Sequence, residues 1–384
     1  MLIIKHGKIV TMANRLLDGG DILVDNGKIA EISEKTDYTP SRTDEVIDAG
    51  DCFVFPGFID SHCRTGVLND GIDDITLANN PIIPASGALY SVDFESDDFF
   101  ECVKSGVTTV MVAPGSRAIV SGKCACIKTA KTRRKEGRLN VPGEVHILSE
   151  YTGMQCSLTG MGEAATYEQS SLIVTKLREE LNAAVLYRRD QEEANANGKY
   201  SFISPTLENY IPLLSGNLPA FVAVRTKEET DMAIKIFQKH GIPLILVGCD
   251  ECSELDNDTL SAMASGGVSV VFGSGLNNSS HGFRLLHQLE ERGIQFAIST
   301  AHPETGIQYL PICAGLASRE GISMDRALKA ITVSAAEICG QTDRIGTLEV
   351  GKDADIVVFD ANPLEVFTKT LFTIIDGEIV YRGK

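Results

Sequence analysis

Two residues spaced i, i+2 raise the question of chemistry first: His62 and Arg64, in Asp60-Ser61-His62-Cys63-Arg64. On a strand this spacing puts both side chains on one face, so an imidazole and a guanidinium would address the same space. An imidazole can ligate a metal or move a proton. Arginine stays protonated and offers no lone pair, so Arg64 would repel a cation and attract an anion. Arg225, just after the apolar run 221–224, is a second candidate cation, and His302, in Thr300-Ala301-His302-Pro303, a second candidate imidazole. Each has a plainer alternative: His62 hydrogen-bonded in the interior, Arg64 a structural cation, Arg225 paired with a carboxylate, and His302 with its ring turned away.

Other patterns fall short of a site. Cys249-Asp250-Glu251-Cys252 has C-x-x-C spacing, but structural zinc needs two more ligands and a redox pair usually opens a helix, so buried, inert thiols are expected. Segment 115–123 is no phosphate loop, because Arg117 stands where the first glycine belongs and Cys124 follows Lys123. Asp73 and Asp74 could reach a site from a loop, though a solvated turn is the simpler expectation. There is no G-x-S-x-G nucleophile elbow.

The elements that must position these residues can be read from patterning. The chain has 384 residues, with 43% hydrophobic and 23% charged, as in ordinary folded proteins. With 35 basic and 52 acidic residues the net charge is −17, which disfavours phosphate backbones and anionic lipid; neither nucleic acid nor membrane is expected as a partner. Ten cysteines without a secretory leader suggest reduced thiols and a cytoplasmic protein. The first fifty residues alternate like strands around Asn26-Gly27, a strong hairpin signal, and the last forty do so around Asp376-Gly377. Between them, apolar runs at 53–59, 107–113, 221–224, 243–247, 268–272 and 295–299 alternate with amphipathic helices at 167–187, 227–240 and 324–339. That rhythm implies parallel βα units. The expected fold class is α/β: a (β/α)8 TIM barrel over 54–340, plus a small β-sandwich formed by both termini, 1–53 and 341–384.

Phe55-Pro56-Gly57-Phe58-Ile59-Asp60-Ser61-His62 resembles the first barrel strand of the amidohydrolase superfamily, and the run from Arg344 to Val357 resembles its return into the terminal β-domain. With Ile298-Ser299-Thr300-Ala301-His302-Pro303 and Ala330-Ile331-Thr332 the likeness spans nearly the whole chain and is nearest the imidazolonepropionase-like branch. The resemblance implies metal-assisted hydrolysis of C–N bonds at the barrel mouth, with a His-x-His pair on strand one, a histidine each on strands five and six, and an aspartate after strand eight. Here only His62 matches. The other positions fall on Arg64, Val224, Gly248 and Ala301, so four of the five are lost. One histidine cannot hold a zinc that needs three protein ligands.

The expectation is therefore a degenerate metal site: a pseudoenzyme without metal or cofactor that binds a small anionic molecule through His62, Arg64, Arg225 and His302. Two alternatives stay open. One is an active C–N hydrolase with a rebuilt metal site, for example around His62, Cys249 and His302. The other is a structural, possible homo-oligomer subunit with a vestigial pocket.

Overall fold

The computed structural model describes residues 1–67, 81–132, 144–159, 167–249, 252, 255–273 and 281–383. Asp73, Asp74, Asp250 and Glu251 lie outside them. Strands β1 (Leu2–Val10), β2 (Leu16–Asp25), β3 (Lys28–Ser33), β4 (Glu45–Asp48) and β5 (Phe53–Pro56) come first. They are followed by β6 (Phe58–Cys63), β7 (Val107–Val112), β8 (Val120–Thr132), β9 (Glu144–Ser157), β10 (Ala220–Val224), β11 (Leu244–Gly248), β12 (Ser269–Gly273) and β13 (Phe296–Ser299). The last three are β14 (Ile356–Phe359), β15 (Thr370–Ile375) and β16 (Glu378–Arg382). The helices are α1 (Asp97–Lys104), α2 (Tyr167–Ala196), α3 (Ile211–Leu214), α4 (Lys227–Lys239), α5 (Asn257–Ser265), α6 (His281–Glu291), α7 (Leu310–Arg319), α8 (Met324–Ala330) and α9 (Val333–Ile338).

Strands from both ends of the chain join one sheet in the order β16-β15-β14-β5-β1-β2-β3, with β4 on β1. The sandwich expected from the patterning is thus one continuous sheet. Its hairpin turns where expected, at Asn26 (φ 49) and Gly27 (φ 77), the positive-φ pair of a tight turn. Its inner face buries Ile4, Ile9, Ile22, Ile29, Val54, Ile356, Val358 and Ile374 in one cluster.

Strands β6 to β13 hydrogen-bond in chain order, and β13 returns beside β6, giving a near-closed eight-stranded barrel. Alternate side chains fill its interior, among them Ile59, Met111, Cys124, Cys126, Phe221, Val247, Val271 and Ala297. One strand departs from an all-parallel barrel. β8 runs antiparallel to both β7 and β9, so a long hairpin stands where a crossover helix was expected. The sequence offers no clean signal for it, because Val120–Thr132 mixes Gly, Lys and Cys among its apolar residues.

Two elements differ from expectation for local reasons. The run 53–59 is not one strand: β5 belongs to the terminal sheet and β6 to the barrel, with Gly57 between them. A Cβ there would collide with Thr108, and the Gly57 N–H donates to Asp355 O at 2.9 Å. The helix expected over 324–339 is broken into α8 and α9 at Ile331, whose carbonyl instead accepts the Ile59 N–H of β6 at 2.8 Å. In contrast, α2 runs on to Ala196, beyond the 167–187 expected.

A buried ionic network ties the β8–β9 hairpin to the C-terminal segment. Lys128 Nζ, on β8, lies 2.9 Å from Asp353, 2.9 Å from Asp355 and 2.6 Å from Asp376. Arg344 (2.8 Å) and Lys28 also pair with Asp353, and His146 on β9 meets Asp376 at 3.1 Å. Among the described residues no helix is long and apolar enough to cross a membrane.

Candidate ligand-binding site at the barrel mouth

The C-terminal ends of barrel strands are where (β/α)8 proteins build their sites, and here β6 and β13 are joined at that end by Asp60. The carboxylate is wholly buried. Its Oδ1 accepts from Ser299 Oγ (2.7 Å) and the His62 N–H (3.2 Å). Its Oδ2 accepts from Thr300 Oγ1 (2.6 Å) and the Thr300 N–H (3.0 Å). Four donors on one carboxylate hold the strand that carries His62 against the strand that leads to His302.

His62 Nε2 lies 2.8 Å from Gln155 Oε1, and the Gln155 amide nitrogen donates to Cys156 O at 3.1 Å. Gln155 thus presents only oxygen, so the His62 proton sits on Nε2. The ring packs 6.3 Å from the Phe221 ring. Burial pushes the His62 pKa down, the Gln155 hydrogen bond opposes this, and the nearby Arg64 guanidinium adds to the lowering. His62 is therefore neutral at pH 7.

Arg64 is anchored by its backbone, whose N–H donates to His302 O at 3.0 Å. Its half-exposed side chain makes no hydrogen bond or ion pair with any described residue. Arg225, by contrast, is engaged. It follows β10, its Nη2 donates to Thr159 O (3.2 Å), and its N–H donates to Glu229 Oε2 (2.6 Å) within the capping box of α4. His302 is buried and turned to α1, with Nε2 3.2 Å from Asp98 Oδ2, so its ring does not join the His62–Gln155 pair. Of the four candidates, the His62 and Arg64 side chains are electrostatically coupled, and Arg64 meets His302 through the backbone.

Val224, Gly248 and Ala301 occupy the remaining positions at the strand ends. Cys249 and Cys252 are buried and in no disulfide, and Cys252 Sγ donates to Arg225 O at 3.3 Å. Among the described residues no group of three His, Cys, Asp or Glu side chains could hold a metal ion, and the arrangement of His62, Cys249 and His302 around a metal is not formed. Sequence reasoning missed Asp60, Gln155 and Asp98. Asp60 stood in the motif itself, but its partners are 239 and 240 positions away. A cavity of about 400 Å³ lies elsewhere, at the N-terminal starts of β10 to β13 beside Leu218, Pro243, Gln295 and Glu337, at the opposite end from the mouth.

Residues 296–381 match the amidohydrolase family. The whole chain is similar to a 5-methylthioadenosine/S-adenosylhomocysteine deaminase of Caldicellulosiruptor saccharolyticus, 26% identical over 99% of this chain and 93% of the relative. It is also similar to an imidazolonepropionase of Pseudomonas savastanoi pv. phaseolicola, 22% identical over 99% of this chain and 98% of the relative. Likeness to several of its branches supports membership of the amidohydrolase superfamily. Imidazolonepropionase is one distant relative among several branches of that superfamily, so the chain is not placed in that branch. A crystal structure of an amidohydrolase from Thermotoga maritima shares the fold, with a TM-score of 0.86 and 24% identity over 100% of both chains.

Proposed function

We propose that this amidohydrolase-superfamily barrel binds a small carboxylate- or phosphate-bearing molecule at its mouth without a metal. One observation carries the reading: Arg64 stands two residues beyond His62 with a guanidinium that no described residue neutralises. A cation beside a neutral, half-buried imidazole favours an oxyanion and opposes a metal dication. The guanidinium can hold such a ligand by paired charge-assisted hydrogen bonds. At about 10 Å screening in 0.1 M salt, the chain's distant acidic residues count for little against contacts inside the mouth.

The test is ligand-induced stabilisation. A ligand at about 100 times its Kd adds about 2.7 kcal/mol. Small dicarboxylates or phosphate should therefore raise the melting temperature of the wild type by several degrees. Arg64→Met removes hydrogen bonds to a charged group, about 1.5–3 kcal/mol, and should abolish most of that rise. Equal stabilisation of both proteins, or of neither, refutes the proposal.

A second reading, metal-assisted hydrolysis of a C–N bond, is favoured by the full-length likeness to a deaminase. Elemental analysis separates the two. Protein purified without chelator should carry far less than one equivalent of zinc, manganese or iron, given Arg64, Val224, Gly248 and Ala301 at the strand ends. A stoichiometric, tightly held metal would replace the anion-binding proposal with the hydrolase.

A further inference from the structure

A second cationic feature lies on the outside of the barrel. Helices α2 and α4 border a surface cavity of about 300 Å³ lined by the exposed Arg178, Asn182, Lys235 and Lys239, the half-buried His240 and the buried Ile236. No carboxylate lines it, although the chain carries 52 acidic residues against 35 basic ones. Arg178 reaches Met232 Sδ at 3.4 Å, not an acid. Lys235 and Lys239 form no ion pair with a described residue.

The helical spacing explains why these cations stay uncompensated. The residue one turn before Lys235 is Asp231, which is already bound to Lys227 at 2.8 Å and to Thr259 Oγ1 at 2.6 Å. One turn after Lys235 comes Lys239, a like charge, and such an i, i+4 pair costs about 0.2–0.5 kcal/mol. The residue one turn after Arg178 is Asn182, a neutral hydrogen-bonding group. Lys239 and His240 close α4 and complement its C-terminal dipole. That role does not extend to Arg178 on the neighbouring helix or to Lys235 a turn earlier. His240 is half-buried, and its pKa is pushed down by burial and then by Lys239.

We propose that the α2–α4 cavity is an anion site that takes a phosphoryl group, separate from the barrel mouth. Its volume matches the lower end of small-ligand pockets. Arg178 comes from α2 and Lys235 from α4, Asn182 supplies a neutral donor, and Ile236 is apolar.

The mouth is silenced by working in the Arg64→Met protein, so the outcome does not depend on the proposal for that site. Inorganic phosphate is titrated at constant ionic strength against chloride, and the His240 imidazole signal is followed by NMR in histidine-labelled protein. A sugar phosphate in a parallel arm distinguishes free phosphate from a phosphoryl group on a carrier, by which of the two saturates at the lower concentration. A saturable His240 shift is expected with phosphate and not with chloride. The variants Arg178→Gln/Lys235→Gln and Lys239→Gln should each need at least tenfold more ligand and remain folded, with melting temperatures without ligand changed only by the small dipole and like-charge effects. A His240 response equal in chloride, or saturation at unchanged concentration in both variants, overturns the site.

Discussion

Lys128→Met should destabilise the protein by about 3–5 kcal/mol, the cost of removing one partner from a buried ion pair. Lys128 is wholly buried, and its Nζ is the shared partner of Asp353, Asp355 and Asp376. Burial works to lower its pKa, but the three carboxylates outweigh burial and hold it above the ordinary lysine value. Methionine matches the stem and deletes the charge, leaving carboxylates crowded together with only peripheral cations. Urea unfolding measures the loss, and a change below about 1 kcal/mol would show that the network is neutral to stability.

The same network predicts the acid limb of the stability curve. Asp376 and Asp353 are held below the usual carboxylate range; burial opposes this in both. For Asp376 the His146 hydrogen bond and the Lys128 charge prevail, and for Asp353 the charge of Lys128 and the hydrogen bond from Lys28. A depressed carboxylate contributes stability that is present above its unfolded value, about 3.9, and lost as pH falls through the folded value. Asp355 is pushed up by burial and works in the opposite direction. Wild-type stability should therefore fall below about pH 4. In Lys128→Met the acid-side fall should shrink, because without the cation the folded carboxylates titrate closer to or above the unfolded value and protonation no longer costs the folded state as much.

The second large effect belongs to Asp60. Asp60→Ala strands the Thr300 hydroxyl and the His62 and Thr300 amides, while Ser299 Oγ keeps His62 O as an acceptor at 2.5 Å. At about 1–3 kcal/mol for each buried group left unsatisfied, some of which will find water, a loss of at least about 3 kcal/mol is expected. Asp60→Asn should also cost stability, since its amide nitrogen would face two donors where an oxygen now accepts. Because Asp60 holds β6 against β13, the ligand-induced stabilisation assigned to Arg64 should shrink in both variants. Unfolding free energies within about 1 kcal/mol of wild type for Asp60→Ala would mean that the β6–β13 seam is held by other contacts.

Local pattern alone made much of this protein legible. Asn26-Gly27 turns because the pair tolerates the positive φ that a tight hairpin demands. Helix α4 starts at the Thr226/Glu229 capping box and ends before Gly241, as short-range capping requires. The β-like ends, the βα rhythm between them and the residue types at Arg64, Val224, Gly248 and Ala301 are likewise properties of residues and their neighbours. Tertiary contacts decided the rest. Whether Phe53 to Ile59 is one strand or two depends on Thr108 and Asp355, which are far away in the chain. The direction of the His302 ring depends on Asp98, 204 positions earlier by residue number, and the proton position on His62 depends on Gln155. The partners of Asp60 and Lys128 arrive from distances of more than 200 residues. Hydrogen bonds and ion pairs act over about 3 Å, so residue type shows which groups need a partner, and only the closed barrel brings each partner within that reach.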